Sequence, residues 1–389
     1  MRVAVFTWES LHSILVGGVG VHVTELAAGL ERRGHEVHVI TRRKDTQSYY
    51  DRIDGVHYHR VDHGLSDNFV ECMDLMCKAM AHKFHEITSM IGNFELTHAH
   101  DWLTANAMKY VMDGFGTRGI MTMHSTEYGR DGNVFYDGFA RWVRDAEAAG
   151  CHNASTIIAV SGFLADEIRR IYQVPHEKIH VVPNGVNYRE FDGFVNPAEV
   201  KGRYGVASLA PTIFAAGRMT AQKGMDLLVE AVPMVLGSYP EAKFIISGSG
   251  PDKDMVVNKA HDIGAAHSII FLEALPRWQY IDLMRSIDIF CLPSRNEPFG
   301  IVALEAWAAG KPVVATTAGG TKEFIWHDVN GFLVDANAGG IAHGIGSLLA
   351  DHDHCRALGT NGRRAVEEKF NWDTIAEYTE GVYNAVLNY

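Results

Sequence analysis

The chain has 389 residues, of which 47% are apolar and 21% charged, with a formal net charge of −12. That length exceeds one ordinary core and predicts two or three domains, and the balance of residue types excludes a disordered chain. The acidic excess argues against nucleic-acid binding and against docking on anionic lipid.

In chain order, Val3 to Thr7 is a short apolar run and Gly17-Gly18-Val19-Gly20 follows it. Val21, Val23, Leu26, Ala27 and Leu30 then recur at helical spacing up to Gly34, and Glu36 to Thr41 is the next strand. Strand, glycine-rich turn, helix and strand make a βαβ unit. Met73, Met76 and Met80 lie at helical spacing and are expected to fill core. Leu96 to Ala99, Gly119 to Met123, Thr156 to Val160 and His180 to Val182 are further strands. Pro183-Asn184-Gly185 is turn chemistry, after which a second series begins. Its strands are Ile213 to Ala216, Lys243 to Ser247, Ile269 to Leu272, Ile289 to Leu292, Pro312 to Ala315 and Gly331 to Val334, with a helix over Gly224 to Leu236. Trp372 to Leu387 reads as a closing helix with Trp372, Ile375, Tyr378, Val382 and Val386 as its apolar stripe. The expected fold class is α/β, with two Rossmann-like parallel-sheet domains facing a cleft and ligands gathered at the carboxyl ends of the strands.

Cys72, Cys77, Cys151, Cys291 and Cys355 show no CxxC spacing, which predicts reduced thiols and a cytoplasmic protein. Glu9 interrupts the apolar start before it reaches signal length, and no run approaches the roughly 18–20 apolar residues of a membrane span. We therefore expect no integral membrane association.

Four places can carry chemistry. The glycines of Gly17-Gly18-Val19-Gly20 sit before a helix, where small residues let backbone N–H groups approach a phosphate; the alternative is a tight turn. His22 stands where GxGxxG requires its last glycine, and the second strand ends in Thr41-Arg42-Arg43 with no ribose-binding carboxylate. A dinucleotide site is thus disfavoured, although Arg42 could meet a 2′-phosphate. Gly217-Arg218 and Gln222-Lys223-Gly224 put two cations at a strand end, suited to a diphosphate leaving group or to a solvated surface pair.

The most specific string is Pro293 to Ala306, in which Glu297 and Glu305 lie eight positions apart across Pro298-Phe299-Gly300. A helix start there presents free N–H groups, and Gly248-Ser249-Gly250-Pro251 adds another small-residue loop after a strand. In the N-terminal half, Thr97-His98-Ala99-His100-Asp101-Trp102 and Thr122 to Arg130 both follow strands and should meet at one sheet edge. His98, His100, Asp101 and His124 could imitate a metal cluster, but no HExxH spacing is present and no metal is expected. Asp351-His352-Asp353 matches a DxD pattern and is read as a surface turn.

At these places together the chain resembles glycosyltransferase family 4, with the GT-B fold. The matching features are Gly17-Gly18-Val19-Gly20, His100-Asp101-Trp102, Gly217-Arg218 with Lys223, Gly248-Ser249-Gly250-Pro251, and Glu297-Pro298-Phe299-Gly300 with Glu305; they span almost the whole chain in order. The resemblance implies an acceptor domain over 1–183, a donor domain over 184–370, and a last helix, 371–389, crossing back to the first domain. It implies catalytic roles for His100, Arg218, Lys223 and Glu297, with Arg218 and Lys223 neutralising the donor diphosphate. Gly17, Gly18, Gly20, Gly248, Gly250, Phe299, Gly300, Ile301, Val302 and Glu305 would bind the donor, Glu305 through its ribose. Asp101, Trp102, His124, Glu127, Tyr128 and Arg130 would line the acceptor region.

Retaining members work through same-face attack and an oxocarbenium-like ion pair, so catalysis would be positioning and charge stabilisation. The His-Asp-Trp and Thr122–Arg130 segments resemble glycogen- and starch-synthase-like members, although Leu15-Val16 stands in place of their Lys-Val and their long N-terminal insertions are absent. The expected reaction is transfer of a hexose, glucose first, from a UDP- or ADP-linked donor to a soluble sugar or α-glucan, with no cofactor. A GT-B nucleotide-sugar epimerase, or a transferase using another donor sugar or a lipid or small-molecule acceptor, is the alternative. A homo-oligomer is left open.

Overall fold

The computed structural model describes residues 1–388. The chain divides into two compact units, one comprising Met1–Gly185 with the helix Trp372–Leu387, the other Val186–Asn371.

The first unit is built on an eight-stranded sheet. Its strands are β1 (Arg2–Thr7), β2 (Glu36–Arg42), β3 (Tyr50–Ile53), β4 (Val56–Val61), β5 (Leu96–His100), β6 (Arg118–Met123), β7 (Thr156–Ala159) and β8 (Ile179–Val181). Their spatial order is β3-β4-β2-β1-β5-β6-β7-β8. All pairings are parallel except β3 with β4, a hairpin that the βαβ pattern did not announce. Its turn is Asp54-Gly55, both at positive φ (51° and 83°), the backbone that a two-residue hairpin turn needs. The central strands are rich in Val and Ile because both sheet faces are covered; Val3, Val5, Val37 and Val39 have no more than 3% exposure. Met73, Met76 and Met80 are buried, on the helix Phe69–Ile91.

The helix after β1 begins at Gly18 and runs to Arg32, so the glycine run forms its first turn rather than a loop ahead of it. Its apolar face, with Val23, Leu26, Ala27 and Leu30, joins one core with Ile375, Ala376, Val382 and Tyr383 of the helix Trp372–Leu387. Tyr378 is not part of that stripe: it is 49% exposed, and Thr379 and Tyr383 face inward instead. Burying a side chain the size of Ile or Val contributes about 1.5–3 kcal/mol, so this stripe is a substantial part of the first unit's stability.

The second unit carries six strands: β9 (Thr212–Ala216), β10 (Lys243–Ser247), β11 (Ile269–Leu272), β12 (Ile289–Leu292), β13 (Val313–Thr316) and β14 (Phe332–Val334). They pair in parallel in the order β11-β10-β9-β12-β13-β14. Chain order reverses between β9 and β12, and in the first unit between β1 and β5. Loops leaving neighbouring strands diverge at such switch points, which opens a crevice at the carboxyl ends. Asp351-His352-Asp353 is not a surface turn: the Asp351 side chain caps the helix His352–Glu368, accepting from the His354 N–H at 2.9 Å.

Candidate active site

In the second unit, the loops after β9 and β12 carry the charged pair. Lys223 ends a short 3-10 turn, Ala221–Lys223, and its Nζ donates to Glu297 Oε2 at 2.8 Å. Ser294 Oγ donates to the same oxygen at 2.9 Å. Lys223 reaches Glu297 because the backbones are locked together: Gly224 sits at φ 63°, and a Cβ there would lie 2.1 Å from the Pro293 carbonyl oxygen. Arg295 ties the turn down from outside, with a two-pronged contact to Asp226 at 2.7 and 2.6 Å and a bond to the Ala221 carbonyl. The Glu297 main chain bridges Gly319, whose φ of 119° and whose gap of 2.1 Å between a would-be Cβ and the Glu297 carbonyl leave room only for glycine. The Thr220 hydroxyl, beside the cations in sequence, is buried and bonds nothing among the described residues.

The loops after β9 and β10 are stitched backbone to backbone. Gly217 N–H bonds the Ser247 carbonyl at 3.1 Å and Met219 N–H bonds the Ser249 carbonyl at 2.8 Å. A Cβ on Gly248 would meet the Gly217 oxygen at 1.9 Å. Arg218 thus stands between two glycine-dependent contacts. Gly300, at φ 105°, caps the helix Ile301–Ala308, whose first N–H groups belong to Ile301 and Val302. The Phe299 ring is buried and stacks on Phe324 at 4.7 Å, so only its main chain can serve a ligand.

Glu305 lies one turn inside that helix with both oxygens engaged, Oε1 by Arg277 at 2.6 Å and Oε2 by the Tyr280 hydroxyl at 2.7 Å. Arg277 and Tyr280 were missed in the sequence because nothing in their spacing ties the helix Arg277–Ser286 to Glu305. Desolvation and the Glu305 carboxylate act in opposite directions on the Arg277 guanidinium, and the carboxylates of Glu305 and Glu190 win, raising its pKa. Glu305 is therefore held in place, with its remaining lone pairs as the ones a hydroxyl donor would use.

In the first unit, Glu9 is a residue that motif reading passed over. Its Oε2 accepts from the Val16 and Gly17 N–H groups at 2.6 and 2.5 Å, filling the anion position at the glycine turn with the chain's own carboxylate. A Cβ on Gly20 would lie 2.7 Å from Leu15 Cδ1, the tip of an exposed side chain that can move aside. Burial raises the Glu9 pKa against those amide bonds. Arg42 is spent on Trp8: it bonds the Trp8 carbonyl at 2.6 Å and lies 3.7 Å over the Trp8 ring, which removes the 2′-phosphate role considered for it.

The carboxyl ends of β5 and β6 bring histidines together. His98 is fully buried between the Tyr383 hydroxyl and Thr122 Oγ1, each at 2.7 Å, and does not belong to a ligand surface. His100 has 1% exposure, and its Nδ1 meets His124 Nε2 at 3.1 Å. His124 is only partly covered, so of the two rings it is the one a ligand can touch. His22, held by Asn184 at 2.7 Å, packs edge-on against both. Donor atoms of His22, His100 and His124 lie within 4.8 Å of one another, a different grouping from the His98, His100, Asp101 and His124 set considered from sequence. Burial pushes the imidazoles of His22, His100 and His124 down, the last to about 3, so they stay neutral near pH 7.

Asp101 occupies positive φ (58°), and its Oδ1 accepts from the His124 N–H at 2.8 Å, which fixes the start of the Thr122–Arg130 segment. Burial raises its pKa to about 6. Trp102 opens the helix Trp102–Phe115 beside Phe69. Glu127 and Arg130, both partly exposed, pair with each other and with a buried carboxylate. Arg130 bonds Glu127 at 2.8 Å and Glu147 at 2.7 Å, and the fully buried Glu147 also accepts from the Glu127 N–H and the Tyr172 hydroxyl. This network braces the segment, and of the acceptor-region residues Trp102, His124 and Tyr128 keep partial exposure without joining it.

Comparison with known proteins follows the same lines. Residues 199–365 match the family model described as glycosyl transferases group 1, and residues 16–190 match glycosyltransferase family 4. The chain is 34% identical over 391 residues to an uncharacterized glycosyltransferase of Methanocaldococcus jannaschii, covering 100% of this chain and 99% of that one. It is 28% identical to a glycogen synthase of Mycobacterium tuberculosis, covering 99% and 95%. Among solved structures, sucrose-phosphate synthase from Thermosynechococcus elongatus superposes with a TM-score of 0.83 at 23% identity, covering 100% and 99%. The catalytic domain of starch synthase IV from Arabidopsis thaliana, bound to ADP and acarbose, gives 0.79 at 18%, covering 100% and 99%.

Proposed function

The chain belongs to the family 4 glycosyltransferases of GT-B fold, related to the glycogen and starch synthases, and on that premise we propose that it is a retaining hexosyltransferase using a UDP- or ADP-linked donor, glucose first, and a soluble sugar or α-glucan acceptor. The observation that carries this reading is the Lys223–Glu297–Ser294 cluster at the switch point of the second unit's sheet, next to Arg218. Arg218 and Lys223 supply positive charge for the departing diphosphate, where charge develops as the glycosidic bond breaks. Glu297 holds Lys223 in place and offers its second oxygen to donor hydroxyls, and the Phe299–Val302 main chain offers amides. Glu305 is braced by Arg277 and Tyr280 to receive the ribose.

In the first unit, His124 is the group that meets the reacting sugar, and His100 positions it through the ring contact. Partly exposed Trp102 and Tyr128, with exposed Phe135, Phe139 and Trp142, offer aromatic faces for sugar rings of the acceptor. The five cysteines are buried free thiols, which supports a reducing, cytoplasmic location, and no helix among the described residues is long and apolar enough to cross a membrane.

The test is incubation with a panel of nucleotide sugars, with and without glucan or simple sugars, in the presence of chelator. Acceptor-dependent release of nucleoside diphosphate with an α-linked product is expected. Epimerised donor without acceptor, loss of turnover on chelation, or a β-linked product would each overturn the corresponding part of the proposal.

A further inference from the structure

We propose that the β2–β4 pair, one strand in from the edge of the first unit's sheet, holds a divalent first-row transition ion, zinc being the best match, on Glu36, His38 and His57. These residues lie on β2 and β4, which pair in register with His38 opposite His57. Donor atoms of the three lie within 4.8 Å of one another. A metal–nitrogen distance of about 2.0–2.1 Å in a tetrahedral shell needs ligand atoms roughly 3.3 Å apart, so small side-chain rotations close the set. The His38 and His57 rings stack 4.4 Å apart with 4° between their planes, so one must tilt for both lone pairs to converge on an ion, and His38 Nε2 stands 3.1 Å from Glu36 Oε1.

What distinguishes this group from a chance cluster is the shell behind it. A ligating histidine ordinarily gives its second ring nitrogen to a fixed partner, which sets its tautomer and orientation. Each histidine here has such a partner on its Nδ1. His38 Nδ1 meets His59 Nε2 at 3.0 Å, and His57 Nδ1 meets the Tyr50 hydroxyl at 2.9 Å. Binding an ion would move the His38 proton, which Nε2 now shares with Glu36 Oε1, to Nδ1 facing His59; both Nε2 lone pairs would then face the ion. Glu36 Oε2 is held by Arg2 at 2.9 Å, which leaves Oε1 turned to His38.

The site has an entry path, because the Glu36 side chain is 40% exposed and His57 is partly exposed. One carboxylate and two imidazoles leave a fourth position for water, a donor set that suits zinc, cobalt, nickel or copper rather than magnesium or calcium. Glu36 and His38 lie at the amino end of β2, whereas His100, Asp101 and His124 follow the carboxyl ends of β5 and β6. The ion would therefore clip β2 to β4 and stiffen the sheet edge without entering the transfer chemistry.

The experiment uses the full chain, stripped with chelator and dialysed, then titrated with zinc by calorimetry and with cobalt by visible absorption. One ion per chain is expected, with a rise in melting temperature and transferase activity unchanged by its removal. His57→Ala and Glu36→Gln should each weaken the affinity at least tenfold and abolish the rise in melting temperature on adding zinc, each variant being read against its own metal-free form. His124→Ala should bind as the wild type does. The proposal is overturned if the wild type takes up no stoichiometric ion. It is equally overturned if either variant retains full affinity, or if uptake is lost only in His124→Ala, which would assign the ion to the His22, His100 and His124 group.

Discussion

Lys223 and Glu297 depend on each other. Lys223 is a cation with 21% side-chain exposure against a carboxylate with 6%, so removing the lysine also strands Glu297 in a poorly solvated place. Lys223→Ala is expected to lower kcat by on the order of 10²-fold through lost stabilisation of the leaving group. Pairing it with Glu297→Gln should recover the melting temperature but not the rate. Steady-state release of nucleoside diphosphate and thermal melts of the single and double variants separate the two effects; full activity in Lys223→Ala would remove the clamp from the mechanism. Asp101 offers a pH test. Its folded pKa is raised from 3.8 to about 6, so the stability tied to its neutral form is complete below its unfolded value and lost as pH rises through 6. Asn tolerates positive φ and keeps the oxygen that accepts from His124. Asp101→Asn should thus flatten the fall in stability between pH 4 and 6 and melt higher than the wild type above it, by up to about 3 kcal/mol. Parallel melting curves across that range would show that the buried carboxyl does not titrate there. Much of this residue-scale detail was legible only in outline. The Glu297 and Glu305 spacing and the two cations stand out in a string of letters, but Glu9, Arg277, Tyr280 and Glu147 do not. Each of these reaches its partner across more than one element, and no local period records such a contact.

Strands and helices were the most legible level. β10, β11 and β12 were read with their ends in place, because each is a short continuous run of Ile, Phe and other apolar residues, as parallel strands of an α/β sheet are. The hairpin of β3 and β4 escaped that reading: Tyr50–Ile53 is half exposed and polar, and the Asp54-Gly55 turn was its only sharp signal. The helix Trp372–Leu387 was legible as an element but not in its phase, since Tyr378 looked apolar and lies in solvent. Its partner is the helix Gly18–Arg32, which fits against it closely enough that a Cβ on Gly29 would stand 2.9 Å from Ala376 Cβ. Ion pairs from Arg32 to Asp373 and from Arg33 to Glu380 frame the contact. The Tyr383 hydroxyl also reaches His98 under the sheet's carboxyl edge. Truncation after Phe370 should therefore uncover the stripe and unseat His98, lowering the first unit's melting temperature and abolishing transfer. A truncated chain that melts and transfers as the full chain does would make this helix an appendage.

For the whole molecule, charge linkage is distributed unevenly between the two units. His12, His22, His35, His38, His57, His59, His98, His100 and His124 all have lowered pKa values, chiefly through burial, and all lie within Met1–Gly185. A histidine kept neutral in the fold contributes stability that is present above its unfolded pKa of about 6.5 and is lost as pH falls, because the unfolded chain takes up the proton first. Glu36, Asp51, Asp62 and Asp74, lowered by their hydrogen-bonded partners against the cost of burial, add to the loss at lower pH still. Glu9, Asp101, Asp131 and Glu147 are raised by burial and act the other way, and they are outnumbered. Between Val186 and Asn371, Asp226 is lowered by Arg295 against the cost of burial. The first unit should consequently loosen before the second as pH falls from 6.5 toward 4. Hydrogen exchange, pulsed at one fixed pH after incubation across that range and read by mass spectrometry, tests this directly. Peptides from residues 1–185 and 372–387 should lose protection at higher pH than those from 186–371. Simultaneous loss in both would mean that the two units unfold as one, and earlier loss in 186–371 would mean that the buried histidines do not set the acid limit of the fold.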